Sequence, residues 1–171
     1  LKHARFAFLP CSRHLHAMAD GCEGPGSGAA IKDLPTLLAT MSPELAEEGD
    51  VVFVTSTTMT LPESVALDPW MLFREEEGLT LILPKDRADS QGFSYDGVFR
   101  RITLKVHSSL EAVGLTAAVA SCLKDANICA NVVAAYHHDH VYVPATEADR
   151  ALACLKGLSG GSPDPSSAPA A

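Results

Sequence analysis

The chain has 171 residues, room for one domain or two very small ones. Hydrophobic residues at 47% and charged residues at 20% support a packed core and exclude wholesale disorder. A formal charge of −8 with no basic run argues against binding nucleic acid or an anionic membrane surface, and no apolar stretch approaches the ~18 residues of a spanning helix, so the chain reads as a soluble protein.

The first thirty residues read as an appendage. Lys2, Arg5, Arg13 and three His precede the first acid, Asp20, and a glycine-rich hinge follows through Gly28. Such basic, acid-poor composition suits an organelle transit segment or a leader without a role; since the chain begins with Leu, it also suits a fragment end. A helix is predicted from Asp33 as cap and Pro35 in the first turn, with Leu34, Leu37, Leu38 and Met41 on one face. Gly49-Asp50 turns into a strand over 51–55. A loop rich in Thr and Pro follows, then a strand over 70–74, a turn at Glu75–Gly78, a strand over 79–83 and a short helix over 85–91.

Charge is uneven along the chain. Residues 31–95 carry 4 basic and 12 acidic side chains, whereas residues 96–171 carry 6 and 7, which places a boundary near 91–97. Residues 101–107 alternate as a half-buried strand. Ser108-Ser109-Leu110-Glu111 matches a capping box that opens a helix running to about Ala126. A strand over 128–136, a hairpin turn over 137–139 and a return strand over 140–143 follow. Thr146 is expected to cap a last helix that Gly157 stops. Residues 160–171 read as a disordered tail. The order β-α-β-β-α, completed by one strand, is the α+β ferredoxin-like split βαβ.

The five cysteines are odd in number and lack C-x-x-C spacing, so free thiols are expected rather than a disulfide framework or a thiolate zinc site. Gly157-x-Ser159-x-Gly161 follows a helix rather than a strand and is not a nucleophile elbow. The Gly24–Gly28 run lacks the Lys-Ser/Thr ending of a phosphate loop. Two constellations remain. His138 and His140, with Asp139 between them and His107 on a nearby strand, form a candidate metal cluster or a polar turn. Ser108, Ser109 and Gly114 stand at a strand–loop–helix junction. There the free N–H groups and the helix dipole suit a carboxylate, while tight helix-on-strand packing explains Gly114 equally well.

Residues 101–119 and 131–144, with Phe73–Pro84 as the end of a first unit, resemble the ACT domain, in particular a small bacterial-type family of two tandem ACT-like units. The second unit is also similar to the last unit of the animal cytosolic arginine sensors. The resemblance spans roughly residues 31–158. It implies two ferredoxin-like units side by side, the first over 31–95 and the second over 96–159. It further implies a non-enzymatic, cytoplasmic regulatory protein, without cofactor, that binds an amino acid and pairs as a homodimer. The implied ligand-binding residues are His107, Ser108, Ser109, Val113 and Gly114 on the loop and Ala135, Tyr136, His138 and Asp139 on the hairpin, with Asp139 facing a cationic side chain. Ala112 replaces a ligand-contacting acid of the sensors, so an amino-acid-like ligand is implied rather than arginine itself. The competing readings are a metal-dependent enzyme using His107, His138 and His140, and a protein–protein adaptor with a vestigial pocket.

Overall fold

The structure, a computed structural model, describes residues 30–160. Residues 1–29 of the leader and 161–171 of the tail, with Cys11, Cys22, the Gly24–Gly28 run and Gly161, lie outside the described residues, whereas Gly160, expected in the tail, ends a helix. Helix α1 (Leu34–Thr40) starts where the cap signal places it: the Asp33 carboxylate accepts the Thr36 N–H at 3.0 Å, and Pro35 lies in the first turn. Then come β1 (Glu44–Leu45), β2 (Val51–Ser56), α2 (Leu61–Ala66), β3 (Met71–Arg74), β4 (Leu79–Pro84) and α3 (Lys85–Ser90). The chain continues through β5 (Phe99–Thr103), α4 (Leu115–Asp125), β6 (Asn131–Ala134), β7 (Asp139–Pro144), a 3-10 turn over Ala145–Glu147 and α5 (Ala148–Gly160).

These strands form one antiparallel sheet in the order β3-β4-β2-β5-β7-β6, with β1 also paired to β5. It contains the same unit twice. The segments β2-α2-β3-β4-α3 and β5-α4-β6-β7-α5 repeat one β-α-β-β-α order, and β4 and β7 share one alternation of buried and half-buried positions. β5 closes the first unit at one end, where Val51 lies opposite Phe99. β1 closes the second, where Leu45 lies opposite Ile102.

The helices cover one sheet face. Val52, Val54, Leu81, Leu83 and Ala88 form the core of the first unit. In the second, Ile102, Leu104, Val141 and Val143 pack under Val119 and Leu123 of α4 and Ala151 and Leu155 of α5. Leu37 and Met41 of α1 belong to this second core, although α1 precedes the first unit in sequence. Each such aliphatic burial contributes about 1.5–3 kcal/mol. The opposite face curls inward on an aromatic spine: Phe53 meets Phe99 and Tyr142 edge-on, with ring centroids 5.3 and 5.5 Å away. The Arg101 guanidinium lies 4.1 Å from the Trp70 ring centroid and pairs with Glu48, tying β5 to the start of β3 and to the chain before β2.

Several expectations are corrected. The Thr/Pro-rich stretch is not all loop: Thr60 and Glu63 form a capping box, the Thr60 N–H donating to Glu63 Oε2 at 2.8 Å, and α2 follows. Ser108 does not start α4. The chain from 104 to 114 is loop, and the helix begins after Gly114, whose φ of +105° no helical residue adopts. Asp139 is the first residue of β7 rather than part of the turn. Thr146 sits in the 3-10 turn without a capping bond, and α5 runs through Gly157, which meets nothing nearby. Cys122 of α4 and Cys154 of α5 form a disulfide, their Cα atoms 6.6 Å apart; an odd count and a separation of 32 residues concealed the pair. Cys129 is free and exposed.

Candidate ligand site

The loop between β5 and α4 builds the site. Leu104 still donates its N–H to the Asp139 carbonyl at 3.0 Å; Lys105, at a φ of +51°, then turns the chain off the sheet. Ile31 clamps the departing loop from both sides, donating to the His107 carbonyl at 3.0 Å and accepting from the Ser109 N–H at 2.9 Å. Ser109–Ala112 makes a single turn, with Ser109 Oγ accepting the Glu111 N–H and the Ser109 carbonyl accepting the Ala112 N–H. Glu111 pairs with Lys32 instead of reaching back to Ser108. The Ser108 hydroxyl is therefore free to donate to Asp139 Oδ2, at 3.0 Å in a buried setting.

Beneath this loop lies a cavity of about 90 Å³, lined by Ser108, Ser109, Leu110, Ala112, Leu115, Thr116, Ala134 and Asp139. Asp139 is 9% exposed. The cavity also meets the start of α4. The first intrahelical donor is Ala118, which bonds the Gly114 carbonyl, and no side chain caps the helix. A negative group in the cavity faces N–H groups left over by the helix, and a positive group faces the Asp139 carboxylate.

Of the nine sequence-derived residues, the structure brings Ser108, Ser109 and Asp139 to the cavity wall. Val113 and Tyr136 are instead 83% and 73% exposed and do not line it. Ala135 lies in the turn before β7, where its N–H bonds the His138 carbonyl at 3.2 Å. Gly114 is set by its positive φ and by α1: a Cβ there would stand 2.8 Å from Leu34 Cδ2. The histidines do not converge. His138 Nδ1 donates to the Val106 carbonyl at 3.2 Å, the His107 ring rests near His137, and His140 bonds Thr103 Oγ1 on the open sheet face. No grouping of three His, Cys, Asp or Glu suited to a metal occurs among the described residues. Leu110, Leu115 and Thr116 were missed because the capping-box reading started the helix six residues early, and Ala134 of β6 carried no signal of its own. Gly114, inside the predicted helix, was the available warning.

Asp139 is flanked by a charged layer on the other sheet face. Burial, reinforced by the Arg101 charge, holds the His140 imidazole below its ordinary pKa of 6.5. Burial also raises the Tyr142 phenol.

The first unit differs at the matching place. Leu79 takes the place that Asp139 holds in β7, pairing with Ser56 as the Asp139 carbonyl pairs with Leu104. The strand-to-helix loop spans only residues 57–60. Gly78 closes it from above: a Cβ there would lie 2.4 Å from the Ser56 carbonyl oxygen. The buried carboxylate of the second unit thus has an apolar residue as its counterpart in the first.

Comparisons place this architecture. One ACT-domain family model matches residues 29–100 and a second matches residues 99–157. The chain belongs to the ACT-domain family. Its ACT pair is similar to a Vibrio cholerae protein of unknown function, titled a possible transport protein: identity is 45% over 77% of this chain and 99% of that one, with a TM-score of 0.68. An Agrobacterium tumefaciens protein is 18% identical over 70% of this chain and 89% of its own, with a TM-score of 0.58. The regulatory subunit of aspartate kinase from Thermus thermophilus is 8% identical over 70% and 99%, with a TM-score of 0.51, a likeness of fold. A search of the curated proteins found no match. ACT domains are regulatory rather than catalytic units. Among the described residues, no helix is long and apolar enough to cross a membrane.

Proposed function

We propose that this ACT pair is a non-enzymatic regulatory protein that binds an amino acid in its second unit. One observation carries the reading: a buried carboxylate, Asp139, and an uncapped helix start border the same small cavity, which suits a molecule bearing both an ammonium and a carboxylate group. The α-carboxylate rests at the start of α4 and a cationic group reaches Asp139. The N–H groups of Ser109, Glu111 and Ala112 already have partners, so the anion position shifts from the loop to Leu115 and Thr116. The fold likeness to an aspartate kinase regulatory subunit supports a regulatory role.

A second copy of the chain is the natural partner. Leu110, Val113 and Tyr136 expose apolar surface on the β5–α4 loop and the β6–β7 turn, and among the described residues β3 and β6 end the sheet with unpaired edges. Sedimentation at rising concentration tests this pairing; a chain that stays monomeric contradicts it. The binding reading is tested by a thermal-shift screen of the twenty amino acids. One or a few should raise the melting temperature in a concentration-dependent way. A response to none of them favours the adaptor reading, and stoichiometric transition metal in the purified protein favours the enzyme reading.

A further inference from the structure

The curled open face of the sheet holds a second, larger cavity, about 460 Å³, on the side away from Asp139 and the helices. Phe53 and Thr55 of β2 and Thr80 of β4 form one wall; Phe99 of β5 and Asn131 of β6 form the other, with Asp96 of the connecting segment at the edge. The cavity therefore lies between the two units and touches both. Its size falls within the range of small-molecule sites, and its lining combines an apolar floor with a few polar groups. Phe53 and Phe99 stand 5.3 Å apart at 74°, both only half-buried, so two ring surfaces border the cavity. Gly97 keeps this arrangement open: a Cβ there would press the Phe99 ring at 3.1 Å. Asp96 is exposed and pairs with no Lys or Arg among the described residues, and it is the one charged group of the lining.

We infer that this groove is a second ligand site, for a small aromatic molecule carrying an ammonium group. The ring stacks on Phe53 and Phe99, and the cation lies toward Asp96. The acidic first half of the chain, with Glu75 bonded to the lining Thr80, opposes an anionic ligand. Because both units line the groove, its occupant would act on how they sit together, independently of the amino-acid site.

Titration of the full chain with 2-phenylethylamine, followed residue by residue through backbone NMR shifts, tests this inference. The inference predicts saturable shifts confined to residues 53–55, 80, 94–99 and 131, with no saturable response to phenylacetate. Thr55→Trp, a change at an exposed strand position, should fill the groove and abolish the response. Asp96→Asn should weaken it about threefold, the modest effect of an exposed charge. Shifts centred on 108–116 would place the amine in the other site. Equal binding of phenylacetate, an undiminished response in Thr55→Trp, or shifts that follow protein concentration instead of amine would each overturn the inference.

Discussion

Gly114 and Asp139 show how far single residues carry the reading. Glycine at 114 stood out in the sequence as a helix-weakening residue, with ligand approach and tight packing as rival reasons. The structure gives packing: a left-handed φ and contact with Leu34. Gly114→Ala should therefore lower stability by roughly 1–3 kcal/mol, a loss read from the urea midpoint. Unchanged stability with lost binding would restore the ligand-approach reason. Asp139 was legible as the lone acid of the hairpin. Its burial was not, because that depends on the loop returning over β7. His140, one residue on, points to the opposite face. Its unfolded form takes up a proton near pH 6.5, whereas the folded form does so only at lower pH. Stability is therefore fully present above that pH and falls as pH drops through the interval below it. In His140→Gln, chemical denaturation at pH 7.5 and 5.5 should show a smaller difference than in the parent; an equal difference would assign the slope to other groups.

At the scale of elements, two S/T-x-x-E signals separate local from tertiary control. Thr60 to Glu63 is a true capping box, and Pro62 in the first turn reinforces it. Ser108 to Glu111 has the same pattern and is a loop, because Ser108 bonds Asp139, Glu111 pairs with Lys32, and Gly114 blocks the helix until residue 115. Those three partners are remote in sequence or depend on a backbone angle, so the pattern alone could not separate the two cases. Strand patterning was more reliable: β2, β4 and β7 were readable because burial on one face fixes their alternation or apolar run. The Cys122–Cys154 link holds α4 to α5 across the second core. Closing a loop of this length contributes up to about 4 kcal/mol. Reduction should lower the urea midpoint accordingly, and Cys122→Ala should lose this dependence on reductant. A midpoint insensitive to reductant in the parent would contradict a stabilising link.

For the whole molecule, two ACT units were legible from the charge step near 91–97 and from the resemblance, with the β-α-β-β-α order readable in the second half alone because α2 read as loop; their interleaving was not legible. Sequence order assigns α1 and β1 to the first half, whereas Leu37, Met41 and the Leu45–Ile102 pairing belong to the second core and its sheet edge. A charge step cannot reveal such a crossing, since it reports composition and not contact. We expect a chain of residues 96–160 made alone to lack its fourth strand and part of its core, and to give weak near-UV circular dichroism and non-cooperative melting. A cooperative transition in that piece would show that α1 and β1 are dispensable. The same N-terminal segment, through Ile31, clamps the loop that roofs the cavity, so the ligand site depends on residues outside the second half. The most direct test of an amino-acid site under that loop is calorimetric titration of the amino acid that stabilises the protein, into the parent and into Asp139→Asn. The substitution keeps the side chain's shape and removes its charge. Breaking a buried charged contact costs on the order of 2–5 kcal/mol, so affinity should fall at least tenfold while the melting temperature without ligand changes little. Equal affinity in the two proteins would contradict the account.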